Sequence, residues 1–186
     1  MTDSNDSVLD PRHYIESLGS ISALKREAAA LSLGGMGDRR ASRPLAGLLL
    51  REVVTVAQTQ QIAPEDVVCA ASDAIRQLGA TESLYAVMKA LCSASCTATV
   101  QRTTVESLVN CVAEVGGFTA VREAADKVVR HAGSVCPDCR GIETVGVVLF
   151  EALSMCGDPG VKTLRRLSRA GPEPLKPLAE FALSMV

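Results

Sequence analysis

Tryptophan is absent from this 186-residue chain, and aromatic residues make up 3% of it. That scarcity puts the core on Leu, Val and Ala and disfavours sites that stack nucleic-acid bases on aromatic rings. Histidine occurs only as His13 and His131, so Ser/His/Asp and Cys/His catalytic sets have little to draw on. No apolar run reaches the roughly 18 residues of a membrane span. Met1 to Asp10 is polar and acidic, without the basic start and apolar stretch of an export signal. Strand-like alternation is also missing: Val53-Val54 and residues 145–149 lie inside segments of helical length. Net charge is −2, which by itself points neither toward a polyanion partner nor away from one.

What remains is a hydrophobic share of 47% built from small aliphatic side chains, suited to close helix–helix packing. Seven cysteines are an odd number. Cys69, Cys92, Cys111 and Cys156 fall on apolar faces, where Cys acts as a small hydrophobe. That usage fits a reducing compartment and makes a cytoplasmic location the expectation. The length suits one domain: residues 1–10 read as a disordered tail and 11–186 as a single folded unit.

One phrase recurs along the chain. An apolar helical run ends in an apolar residue, Gly and a small or acidic residue, and a second amphipathic run comes next. The copies end at Gly37, Gly79, Gly116 and Gly157, so they repeat every 37 to 42 residues. Periods of that size mark stacked two-helix units, which cannot bury their apolar faces singly. The expected fold is all-α, an α-solenoid of about four helical hairpins with short flanking terminal helices.

Local signals place the elements. Pro11 opens a short helix that Gly19 stops. Ser20 is the expected cap of the next helix, with Leu24, Ala28, Leu31 and Gly35 on one face at near-helical spacing. Gly34, Gly35 and Gly37 allow a tight reversal, and Asp38 or Ser42 caps the partner helix. Pro64 and Thr81 open the helices of the second unit, and Gly116-Gly117 turns the third. Residues 132–141 read as the longest loop. The fourth unit opens at about Ile142, Cys156-Gly157-Asp158-Pro159 stops its first helix and opens the next, and Leu175 to Val186 forms a terminal helix.

Arg26, Ala29, Ala30, Leu33, Gly34, Met36, Gly37 and Asp38, together with Pro44 and Leu45, resemble the HEAT repeat, in the short variant shared with bilin lyase subunits. The resemblance extends over residues 20–170. The second copy keeps Ala71, Ala74, Ile75, Leu78 and Gly79, with Val68 in place of the first copy's Arg26, and later copies keep only the apolar pattern and the Gly. It implies a helical solenoid and says little about activity. The deoxyhypusine hydroxylases of this repeat class need His-Glu pairs, and neither His13 nor His131 precedes Glu. The HEAT-type alkylpurine glycosylases use Trp, which this chain lacks.

Charge separates the two helices of each unit. Residues 20–36, 64–78, 98–115 and 142–156 hold four bases and eight acids, whereas 38–59, 81–92, 118–131 and 158–170 hold twelve bases and six acids. The resemblance implies that second helices line the concave side. Arg39, Arg43, Arg51, Lys89, Arg122, Arg130, Arg165, Arg166 and Arg169 would then form a basic inner surface, with Tyr85 as an anchor. The plainer alternative is a set of solvated helix faces.

The expectation is therefore a non-catalytic protein-interaction scaffold or adaptor whose partner carries an acidic patch or peptide. The alternatives are an accessory subunit of an enzyme, as in bilin-lyase-like complexes, and a nucleic-acid-binding solenoid. No enzyme activity, cofactor or catalytic residue is expected. Cys136-Pro137-Asp138-Cys139 is a single Cys-x-x-Cys pair with Cys96 and His131 as distant possible additions, whereas structural zinc commonly takes two such pairs. It also lacks the βαβ setting of a redox motif. A thiol loop or adventitious disulfide without metal is the expectation. Gly34-Gly35-Met36-Gly37 lacks the Lys-Ser/Thr of a phosphate loop and reads as a helix reversal.

Overall fold

The computed structural model describes residues 10–59, 64–96, 100–134 and 141–186. Every regular element among them is helical. The helices are α1 (Pro11–Ser17), α2 (Ala23–Met36), α3 (Ser42–Thr59), α4 (Glu65–Gln77), α5 (Leu84–Ser95), α6 (Arg102–Ser134), α7 (Ile142–Ser154), α8 (Gly157–Ala170) and α9 (Lys176–Ser184). Short 3-10 turns, Arg39–Ala41 and Thr81–Ser83, lead into α3 and α5. No helix among the described residues is long and apolar enough to cross a membrane.

The local chemistry explains most boundaries. Asp10 caps α1 by accepting from the Arg12 N–H at 2.9 Å, with Pro11 in the first turn. Gly37, at φ 68°, ends α2 in the left-handed region that glycine enters without a Cβ clash. Asp38 caps the lead-in turn by accepting from the Arg40 N–H, and Arg40 holds its carboxyl below the usual carboxylate range. The start of α2 differs from the expectation. The cap is Ser22, not Ser20, because Arg26 Nη1 donates to the Ser20 and Ile21 carbonyls at 2.9 and 2.8 Å and keeps those residues outside the helix.

The buried face of α2 is not the one that carries Leu24 and Leu31. Leu24 and Leu31 are 73% and 51% exposed, whereas Ala29, Ala30, Leu33 and Gly34 are buried. α2 lies against α4 through its smallest residues: a Cβ on Gly34 would stand 2.6 Å from Gln77 Oε1 and 2.9 Å from Ala74 Cα. Backbone approach of this kind favours Ala and Gly over Leu at the seam.

α6 is two helices in one run. Gly117 has φ 63° and ψ −164°, a conformation essentially restricted to glycine. It divides the run into arms 102–116 and 118–134. The expected turn therefore stands where Gly116-Gly117 placed it.

Neighbouring helices pair across regular intervals. Beside the α2–α4 seam, Arg76 of α4 meets Glu114 of the first α6 arm at 3.0 Å. On the other side, Ser83 Oγ donates to the Ser42 carbonyl at 3.2 Å, joining the starts of α5 and α3. α5 packs on the second α6 arm, whose Asp126 pairs with Arg166 of α8. α7 lies against α6, α8 and α9. One continuous hydrophobic cluster, including Leu33, Leu49, Ile75, Leu91, Leu108 and Leu149, runs through all of these helices. Each such buried Leu or Ile contributes about 1.5–3 kcal/mol relative to exposure.

Candidate functional site

A basic concavity lies between α5 and the second α6 arm. It is an open groove of about 310 Å³. Tyr85, Met88, Lys89 and Cys92 reach it from α5, and Lys127, Arg130 and His131 from α6. These residues sit about one helical turn apart on each helix, so their side chains share a face. Tyr85 is 68% exposed. Lys127 Nζ stands 5.1 Å from its ring centroid, 3.8 Å from Met88 Sδ and 2.9 Å from Glu123 Oε1. The ammonium is thus fixed over the aromatic face by a cation–π contact. Burial pushes the Cys92 thiol up, against the opposing pull of Lys127 and Arg130. A second pocket of about 300 Å³ continues along the same helices past Leu84, Gly116 and Thr119.

At the far end of the groove, Cys96 Sγ lies 3.0 Å from His131 Nε2. The last turn of α5 and the last turn of the second arm bring these atoms together from positions 35 residues apart. Among the described residues, no group of three or more His, Cys, Asp or Glu side chains is placed to hold a metal ion. Cys136 and Cys139 lie outside the described residues.

The side formed by α4 and the first α6 arm has the opposite character. Asp73, Glu106 and Glu114 line a groove of about 410 Å³ there, and Arg76 bridges Asp73 and Glu114 across it.

The ten residues expected to bind a partner fall into several settings. Tyr85, Lys89 and Arg130 share the groove. Arg122 is exposed one turn before Asp126 on the same arm, with its guanidinium 5.8 Å from the Phe118 ring centroid. Arg165, Arg166 and Arg169 are exposed on α8, and Arg166 is tied to Asp126. Arg43 is exposed on α3. Arg39 and Arg51 instead hydrogen-bond backbone: Arg39 Nη2 donates to the Gly79 carbonyl at 3.2 Å and Arg51 Nη2 to the Leu18 carbonyl at 2.6 Å. Both carbonyls lie at helix C-terminal ends, where a cation complements the dipole. Lys127, Met88 and Cys92 were not singled out by sequence reasoning as site residues. Their signal was faint: Lys127 is one of several charged residues on an arm that also carries Arg122, Glu123, Asp126 and Arg130.

No family model and no curated protein matches this chain.

Proposed function

We propose that the chain is a HEAT-like α-solenoid that acts as a non-catalytic protein-binding scaffold. Its partner offers an acidic segment to the groove between α5 and the second α6 arm. The solenoid reading is supported by the interval between contacting residues. Arg76 and Glu114 are 38 apart, Ser42 and Ser83 are 41 apart, and Asp126 and Arg166 are 40 apart. A near-constant offset is what stacked copies of one hairpin produce. In this reading α2, α4, the first α6 arm and α7 are the first helices, and α3, α5, the second arm and α8 are the second.

The observation that carries the binding reading is the gathering of Lys89, Lys127 and Arg130 beside the exposed Tyr85 in one open groove. Three cations on a concave wall attract acidic side chains, and Tyr is enriched among the anchors of protein interfaces. A single aromatic ring, already carrying Lys127 on its face, is a poor platform for nucleic-acid bases.

The test uses a fluorescent peptide of alternating Glu and Leu and an equally charged single-stranded DNA. Fluorescence anisotropy should show salt-sensitive peptide binding that falls at least about tenfold in Lys89→Glu/Lys127→Glu. Unchanged affinity in that variant removes the groove from the binding surface. Preferential capture of the DNA would replace the protein-partner reading with a nucleic-acid one.

A further inference from the structure

Cys96 and His131 have no part in the peptide-binding reading, yet the fold brings their Sγ and Nε2 atoms to 3.0 Å. We propose that Cys96 is a nucleophilic thiol, with His131 as its base, that exchanges with small carboxylate-bearing disulfides drawn to the end of the groove. Exchange of this kind needs a thiolate, an approach for the reagent and an acceptor for the thiol's proton. In the His131 tautomer protonated at Nδ1, Nε2 is that acceptor, within hydrogen-bond range of Sγ. Cys96 stands at the end of α5 and is only partly buried. By contrast, burial pushes up the thiols of Cys69, Cys92, Cys111 and Cys156, which keeps them protonated and weakly nucleophilic at neutral pH.

Charge selects the reagent. Lys89, Lys127 and Arg130 line the open groove together with His131. Glu123 pairs with Lys127, and the wall stays net positive. Burial raises the Cys92 thiol, one turn before Cys96, while Lys127 and Arg130 pull it down, so their field reaches this part of α5. A cationic wall this close concentrates anions and favours a thiolate over a thiol. In the reaction, the Cys96 thiolate attacks one sulfur of the reagent R–S–S–R. The Cys96–S–S–R bond forms as the reagent's own S–S bond breaks, and the leaving R–S⁻ takes the proton that His131 had accepted. Cys96 is oxidised, one reagent sulfur is reduced, and no other oxidant enters. The site shares its cations with the peptide groove, but the chemistry needs no peptide partner.

The experiment mixes the reduced full chain with glutathione disulfide or with the uncharged disulfide of 2-mercaptoethanol. Acid-quenched samples and peptide mass spectrometry give the initial rate of adduct formation at each cysteine, a readout independent of peptide binding. Cys96 should gain the glutathione adduct at least about tenfold faster than Cys92. His131→Gln should slow Cys96 at least about tenfold with both reagents, because the base is lost. Lys89→Glu/Lys127→Glu should slow glutathione disulfide at least about tenfold and the uncharged reagent by no more than about twofold. A Cys96 rate no greater than that of Cys92, or one unchanged in His131→Gln, would overturn the activated thiol. Equal slowing of both reagents by the charge reversal would overturn the selection of anions. Should the variants unfold by circular dichroism, the wild type decides. Faster reaction of Cys96 in the native chain than in urea supports activation by the fold, and slower reaction overturns it.

Discussion

Arg26 of α2 holds the carboxylate of Glu52 in α3: Nη2 donates to Oε2 at 3.0 Å, and Nε lies 2.9 Å from Oε1, misaligned for a second hydrogen bond. The side chains are only 12% and 8% exposed. Because the same guanidinium binds the carbonyls of Ser20 and Ile21, this one contact sets where α2 begins and how it meets α3. Removing one member of a buried pair leaves the other charge without compensation and costs about 3–5 kcal/mol. Glu52→Ala should accordingly lower the unfolding free energy from urea titration by that amount. Arg26→Met/Glu52→Leu should recover part of the loss, because no orphaned charge remains. The recovery stays incomplete, since the two carbonyl contacts are gone. Chemical denaturation of the three proteins checks the order.

Cys111 gives the chain an alkaline signature. Its side chain is fully buried on the first α6 arm, and burial pushes the thiol up to about 12 from an ordinary 9. Between those values the unfolded chain has released the proton and the native one keeps it. Stability is therefore whole below about pH 9 and falls by about 1.4 kcal/mol per pH unit as pH rises toward 12. Cys111→Ala should flatten this part of the curve even though its cavity lowers stability at neutral pH. Denaturation midpoints from pH 8 to 11 in the two proteins measure the difference in slope, and parallel curves would rule the effect out.

Arg51 separates architecture from binding. Its bond to the Leu18 carbonyl ties α3 to the end of α1, and its half-exposed side chain also stands 3.8 Å from Glu52. A hydrogen bond from a charged group contributes about 1.5–3 kcal/mol, reduced to roughly 1 by this exposure. Arg51→Ala should lower thermal stability by that amount and leave affinity for the acidic peptide unchanged within about twofold. A large loss of affinity with unaltered melting would assign Arg51 to the binding surface instead.

The sequence was most legible where one residue's own backbone preference decides the outcome. Gly37 and Gly117 turn the chain where their positions suggested, and Asp38 caps the turn just after Gly37. Such signals need no knowledge of distant residues. The inward face of α2 was not legible, because helical spacing fits Leu24 and Leu31 as well as Ala30 and Gly34, and the choice belongs to the partner helix α4. Arg39 and Arg51 read as surface cations because their acceptors are backbone carbonyls 40 and 33 residues away, which no side-chain pattern reveals. Cys96 and His131 were visible as candidate additions to the Cys136 pair, but only folding establishes their approach.

Gly117 also determines reach. An unbroken helix of the 33 residues in α6 would be a rod about 50 Å long. His131 would then ride about 20 Å beyond the bend, away from the thiol it now touches. A single missing methyl group thus decides whether the middle of the molecule is a spar or a clasp.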